Sequence, residues 1–164
     1  MKTVIVFASK NGVTKACAEQ LQGMLPRGAD VTLVQVTKEG SAAAHDAVKT
    51  ADAVILGGCI RMGRLYRPMR EFVASMSQEE TGKTVGCFIC CGFSDAWERY
   101  MDKVFPESTF PSVERGYFGG ELKPAKLHGL DKWIVRAVRT SIINEGSRPE
   151  DRGLEENARL LPEI

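Results

Sequence analysis

Histidine is nearly missing from this chain, with two in 164 residues. His45 and His128 stand in unrelated helical segments with no cysteine or histidine at ligand spacing, so no metal site is expected. The five cysteines are odd in number, sit at apolar or strand-end positions and lack zinc-type spacing, a usage that suits a reducing cytoplasm. An excess of charge of either sign is missing too: 22 basic against 21 acidic residues leave a net charge of +1. That excludes the global basic field expected of a nucleic-acid binder. No apolar run approaches the length of a membrane span. The first such run, Val4 to Ala8, is too short for a signal-peptide core and is followed by Lys10, so a cytoplasmic protein is expected. Internal repeats and long linkers are also lacking. With 43% hydrophobic and 26% charged residues, residues 1–164 read as one soluble domain with a polar extension over 145–164.

What is there begins at residues 3–25. Val4 to Ala8 is uninterrupted and rich in β-branched and aromatic types, the pattern of a strand buried on both faces. Ser9-Lys10-Asn11-Gly12-Val13-Thr14 follows, and then Val13, Cys17, Leu21 and Met24 recur at helical spacing. A strand that feeds a helix through a hydroxyl- and glycine-rich turn can cradle phosphate, because the first helical amides lack partners and the helix dipole favours negative charge there. Gly12 allows close backbone approach, Ser9 and Thr14 offer hydroxyls, and Lys10 adds charge. The same residue types also cap ordinary turns in any α/β protein. The loop is neither G-x-x-x-x-G-K-[ST] nor G-x-G-x-x-G, which leaves a site for one phosphate.

Further along, Val31 to Val36 alternates as a second strand and residues 39–51 form a short, weakly packed helix. Ala53 to Leu56 reads as a third buried strand that Gly57-Gly58-Cys59 ends. Leu65, Met69, Phe72, Val73 and Met76 then repeat at helical spacing, with Pro68 tolerated in the first turn. Thr84 to Cys91 is a fourth strand, and Trp97, Tyr100, Met101 and Val104 mark a helix closed by Pro106. A fifth, less regular strand spans 113–122, a helix follows over 126–142, and a last short helical segment lies around 154–161. Alternating strands and helices predict an α/β fold, a parallel sheet covered on both faces. In the flavodoxin-like order 2-1-3-4-5 the turns 9–14, 57–63 and 90–93 all open on the carboxyl edge, beside one another.

With those three loops in view, the sequence resembles the flavodoxin family, and the first loop is similar to that family's phosphate loop for flavin mononucleotide (FMN). Gly58-Cys59-Ile60-Arg61-Met62-Gly63, followed by Met69, Glu71, Phe72 and Val73, resembles the menaquinone-dependent protoporphyrinogen IX dehydrogenase branch. So does Gly120-Glu121-Leu122 through Asp131-Lys132. The likeness runs to about residue 145. It implies a three-layer sandwich with a five-stranded parallel sheet, bound FMN and electron transfer through it. Ser9, Asn11, Gly12 and Thr14, with Lys10 and Val13 in the same loop, would hold the phosphate. Cys59, Ile60, Arg61, Met62 and Gly63 would line one side of the isoalloxazine, and Cys91, Gly92 and Phe93 the other. One segment departs from that branch: Ser94 to Arg99 is short and mixed in charge where the branch is longer and basic.

Several residues carry two readings. Arg61 fits the pyrimidine edge of a flavin, where it would stabilise an anionic reduced ring, or it is a solvated loop arginine. Trp97 shares helical spacing with core positions, and Phe93 is equally suited to core or ring. Cys87, Cys90 and Cys91 read as small apolar residues, since a C-x-x-C within a strand and an adjacent pair both have poor disulfide geometry. Lys126, Lys132, Arg136 and Arg139 lie opposite the apolar stripe of the 126–142 helix, as a solvated face or as a peripheral membrane or acidic-partner contact. Three functions stand: an FMN-dependent oxidoreductase acting on a small-molecule substrate, a flavodoxin-type carrier between redox protein partners, and a non-redox phosphate-ligand module. Carriers are commonly acidic around the flavin, whereas Lys10, Arg61, Arg64 and Arg67 cluster at this site.

Overall fold

A computed structural model describes residues 1–25, 28–92 and 96–119. The elements in chain order are β1 (Lys2–Phe7), α1 (Val13–Met24), β2 (Asp30–Gln35), α2 (Ala42–Thr50), β3 (Ala53–Arg61), β4 (Arg64–Leu65), α3 (Arg67–Ser75), α4 (Gln78–Gly82), β5 (Thr84–Cys90), α5 (Trp97–Val104) and β6 (Glu114–Tyr117). The expected strand end at 120–122, the 126–142 helix with its cationic face, the 154–161 segment and Phe93 lie outside the described residues.

β1 is the middle of the molecule because both of its faces are apolar. Val4, Val6 and Ala8 point to one layer; Ile5 and Phe7 point to the other, and all five are buried. It pairs in parallel with β2 on one side and β3 on the other, from Lys2↔Asp30 and Thr3↔Ala53 onwards. β5 adds in parallel to β3, and β6 to β5. The order β2-β1-β3-β5-β6, with the small β4 off this path on β3, is the expected 2-1-3-4-5 arrangement of parallel strands. One face packs Val54, Leu56 and Ile89 against Ala44 and Val48 of α2, Met69 and Phe72 of α3, and Met101 of α5. The opposite face packs Ile5, Phe7, Phe88 and Cys90 against Ala18 of α1.

Two local expectations are corrected, and one short helix is added. Gly57-Gly58 does not end the third strand: β3 runs on to Arg61 and folds back as β4, with Ile60↔Leu65 and Arg61↔Arg64 paired antiparallel. The glycines serve a packing purpose. A Cβ on Gly57 would lie 2.1 Å from the Phe88 ring, and one on Gly58 would lie 2.5 Å from Leu65 Cδ1, so both side chains cross bare backbone. Leu65 consequently belongs to β4, and α3 starts at Arg67 with Pro68 in its first turn, where a missing amide hydrogen leaves no bond unmade. Finally, α4 is a short helix that hydrophobic spacing does not announce. A capping box forms it, with Ser77 Oγ accepting from Glu80 N–H (3.2 Å) and the Glu80 carboxylate accepting from Ser77 N–H (2.7 Å).

Candidate functional site

The carboxyl ends of β1, β3 and β5 are neighbours, so the loops that leave them share one edge of the sheet. The first loop is shaped by Gly12, whose φ of 88° lies in the left-handed region that side chains disfavour. Ser9 Oγ accepts the Gly12 N–H at 3.1 Å, which closes the loop and leaves the hydroxyl proton free to point elsewhere. The first rung of α1 is Ala16 N–H to Gly12 O at 3.0 Å, so the amides of residues 13–15 stand ahead of the ladder at the positive end of the helix. Gln35 at the end of β2 donates to Ser9 O at 3.2 Å and ties the loop to the sheet. Lys10 is exposed, and Asn11 and Val13 are half-buried. Thr14 is buried beneath the loop, where its hydroxyl acts on the thiols of Cys59 and Cys90 and lowers both.

The second loop is a two-residue hairpin. Met62 (φ 49°) and Gly63 (φ 72°) are both left-handed, the signature of the primed turn that suits twisted strands. Tyr66 N–H to Cys59 O at 2.9 Å continues the pairing at its base. Met62 is 80% exposed at the tip, an unusual setting for a large apolar side chain. The hairpin touches the first loop: Cys59 sulfur accepts from the Lys10 amide and feels the Arg61 charge. Burial raises the Cys59 thiol above its ordinary value, more than the Thr14 hydroxyl, Arg61 and the Lys10 amide lower it. Cys59 is therefore a protonated packing residue at the floor of the site.

At the third loop Cys91 is buried and its carbonyl accepts the Tyr117 hydroxyl at 3.0 Å. Tyr117 stacks on Trp97 with centroids 5.9 Å apart and 24° between planes. Trp97 thus supports the loop from behind, in line with its helical spacing. Gly92 is half-buried, with open space where a Cβ would stand. Cys87 and Cys90 face opposite layers, as odd strand spacing requires, and burial pushes the Cys87 thiol up to about 12.

The structure therefore brings Ser9 to Thr14, Cys59 to Gly63, and Cys91 with Gly92 to one edge. Three contributors are not identifiable from spacing. Tyr117 anchors the third loop, and Tyr100 places its hydroxyl 4.0 Å from where a Gly63 Cβ would stand, backing the hairpin turn. Cys17, on the inner face of α1, lies 3.7 Å from Cys90, sulfur to sulfur. An aromatic at the carboxyl end of the last strand is the one sequence signal that points to Tyr117. Among the described residues no group of three His, Cys, Asp or Glu could hold a metal ion, and no helix is long and apolar enough to cross a membrane.

Residues 4–148 match the flavodoxin domain family. No curated protein matches the sequence. Among solved structures, the chain is similar to a flavodoxin, WrbA-like protein of Agrobacterium tumefaciens, with TM-score 0.59 and 20% identity over 82% of this chain and 93% of that one. General stress protein 14 of Treponema denticola, solved in complex with FMN, gives TM-score 0.51 and 13% identity over 77% and 90%. The flavodiiron core from Synechocystis sp. PCC6803 gives TM-score 0.53 and 19% identity over 75% of this chain, which spans only 30% of that longer one. At these identities the likeness is one of fold.

Proposed function

This chain belongs to the flavodoxin domain family, and from that premise we propose that it is an FMN-dependent oxidoreductase acting on a small substrate of the porphyrinogen class, with a quinone or similar acceptor. The observation that carries the reading is the junction of the first two loops. A single-phosphate cradle and an exposed, strained hairpin meet at the Lys10–Cys59 contact on one sheet edge. The FMN bound to general stress protein 14 supports the same choice of ligand.

The residues present fit that group. The amides of residues 13–15 and the Ser9 hydroxyl proton would receive the phosphate, with Lys10 supplying charge at the rim. Thr14 fixes the floor through its thiol contacts, and its amide faces the same helix end. Ile60, Arg61, Met62 and Gly63 would flank one side of the ring and Cys91 with Gly92 the other, and Phe93 belongs to the same proposed set. FMN supplies the electron and hydride chemistry when bound, so the chain needs no nucleophile of its own. Arg61 would bring positive charge to the pyrimidine edge of the ring, which would favour its anionic reduced state. Met62 offers a polarizable apolar surface, and its exposure keeps the tip available to a partner molecule. The porphyrinogen class rests on the resemblance of residues 58–63 to the dehydrogenase branch.

The test is turnover. FMN-loaded protein is mixed anaerobically with a protoporphyrinogen and a soluble quinone, and porphyrin fluorescence is followed. Flavin-dependent appearance of porphyrin is expected. If no porphyrinogen or quinol is oxidised with any acceptor, while a ferredoxin-type reductase reduces the protein rapidly, the oxidoreductase reading gives way to a carrier.

A further inference from the structure

The sulfurs of Cys17 and Cys90 stand 3.7 Å apart directly beneath the phosphate loop, although the residues are 73 apart in sequence. Cys17 is on α1, five residues after the Gly12 cap; Cys90 is the last residue of β5. Thr14, one helical turn before Cys17, is the loop residue whose hydroxyl acts on the Cys90 thiol. Cys17 is partly exposed and Cys90 is buried. We propose that Cys17 and Cys90 form a reversible, peroxide-driven disulfide that controls the phosphate cradle.

The chemistry balances with a peroxide as oxidant. Cys17, the accessible thiol, attacks the peroxide as its thiolate; the O–O bond breaks, the first water leaves and Cys17 carries a sulfenic acid. Cys90 sulfur then attacks Cys17 sulfur, its thiol proton leaves with the displaced oxygen as a second water, and the S–S bond forms. Each sulfur gives up one electron and the peroxide takes two. A dithiol reverses the step by exchange. Burial, reinforced by neighbouring Cys17, raises the Cys90 thiol, so Cys90 stays protonated and unreactive until Cys17 has been oxidised.

Closing the bond draws the sulfurs from 3.7 Å to about 2.05 Å. β5 is laddered to β3 on one side and β6 on the other, so the adjustment is expected in the first turns of α1. Those turns carry the amides of residues 13–15. The cradle is altered at its most position-sensitive donors, and the disulfide form grips phosphate less well. Cys59, side by side with Cys90 across β3 and β5, is the competing partner, and peptide mapping separates the two links.

The consequence for FMN rests on the proposed function; the disulfide does not. The full chain is treated with hydrogen peroxide, alkylated and mapped under non-reducing conditions. A Cys17–Cys90 linked peptide that dithiothreitol removes is expected, absent from Cys17→Ser. Hydrogen exchange of the 9–16 segment is expected to change on oxidation in wild type and not in Cys17→Ser. FMN affinity should fall about tenfold on oxidation, the weight of one weakened charge-assisted hydrogen bond, and stay constant in Cys17→Ser. No linked peptide, or a Cys59–Cys90 link instead, overturns the pair. A link that leaves exchange over 9–16 unchanged overturns its control of the cradle. Failure of both redox forms to take FMN, with the link and the exchange change present, overturns the flavin reading and leaves the switch standing.

Discussion

Gly12 is the residue on which the first loop depends, because its left-handed backbone lets Ser9 Oγ reach its amide. Gly12→Ala is expected to destabilise the protein by roughly 1–2 kcal/mol, the strain of a side chain in that region, and to weaken FMN binding as well. Urea unfolding and a flavin titration check the two effects separately. Gly57→Ala should cost about 1–3 kcal/mol through overpacking, because the new Cβ meets the buried Phe88 ring, whose neighbours leave it little room to retreat. An unchanged urea midpoint in Gly57→Ala would contradict that account. At this scale the site was legible where backbone chemistry decides it: a serine, a glycine and a helix start are visible in the order of residues 9–14. Tyr117, Tyr100 and Cys17 were not legible in the same way. Their roles arise from neighbours far along the chain, Cys91, Gly63 and Cys90, which no local periodicity reports. Reading Cys90 as a small apolar strand residue matched its burial and missed its partner.

Among the elements, the β3–β4 hairpin is the one whose sequence opposes its shape. A primed two-residue turn favours Asn-Gly, yet Met62 occupies the first left-handed position. Met62→Asn should therefore raise stability by up to about 1 kcal/mol while slowing any reaction that uses the exposed methionine. Thermal melts and the porphyrinogen assay on the same variant separate the two. The glycine pair hid this hairpin from sequence reading, since Gly-Gly after an apolar run marks a strand end as readily as a place where Phe88 and Leu65 must pass. Helix α4 is a capping device made of Ser77 and Glu80, with His45 Nδ1 2.8 Å from the Glu80 carboxylate. Burial works to raise the Glu80 carboxyl, but the Ser77 amide, His45 and the Ser77 hydroxyl together hold it below its ordinary value. A lowered pKa in the folded state means stability that is present above the ordinary value and lost as pH falls through the lowered one. Glu80→Ala should cost about 1–2 kcal/mol at neutral pH. The urea-midpoint difference from wild type should shrink as pH drops below about 4.5. A gap that widens in acid would contradict the assignment.

For the whole molecule, strand order and the sharing of one edge by three loops followed from alternating strand and helix patterns, because a doubly covered parallel sheet leaves few topologies open. The bounds of β1, α1 and β5 also fell close to expectation, since each is a long apolar or periodic run. What the pattern does not carry is the choice of ligand and electron partner, which a fold leaves undetermined. The near-neutral charge and the cations Lys10, Arg61 and Arg64 at the site favour a small anionic cofactor over steering to a basic protein. Bound FMN is the central claim, and the visible absorption spectrum of the purified protein, taken after incubation with FMN and desalting, tests it most directly. A two-banded flavin spectrum that persists through desalting in wild type and fades in Gly12→Ala is the predicted result. A flat spectrum from folded wild-type protein would contradict the flavin and, with it, the ligand-holding roles of all three loops.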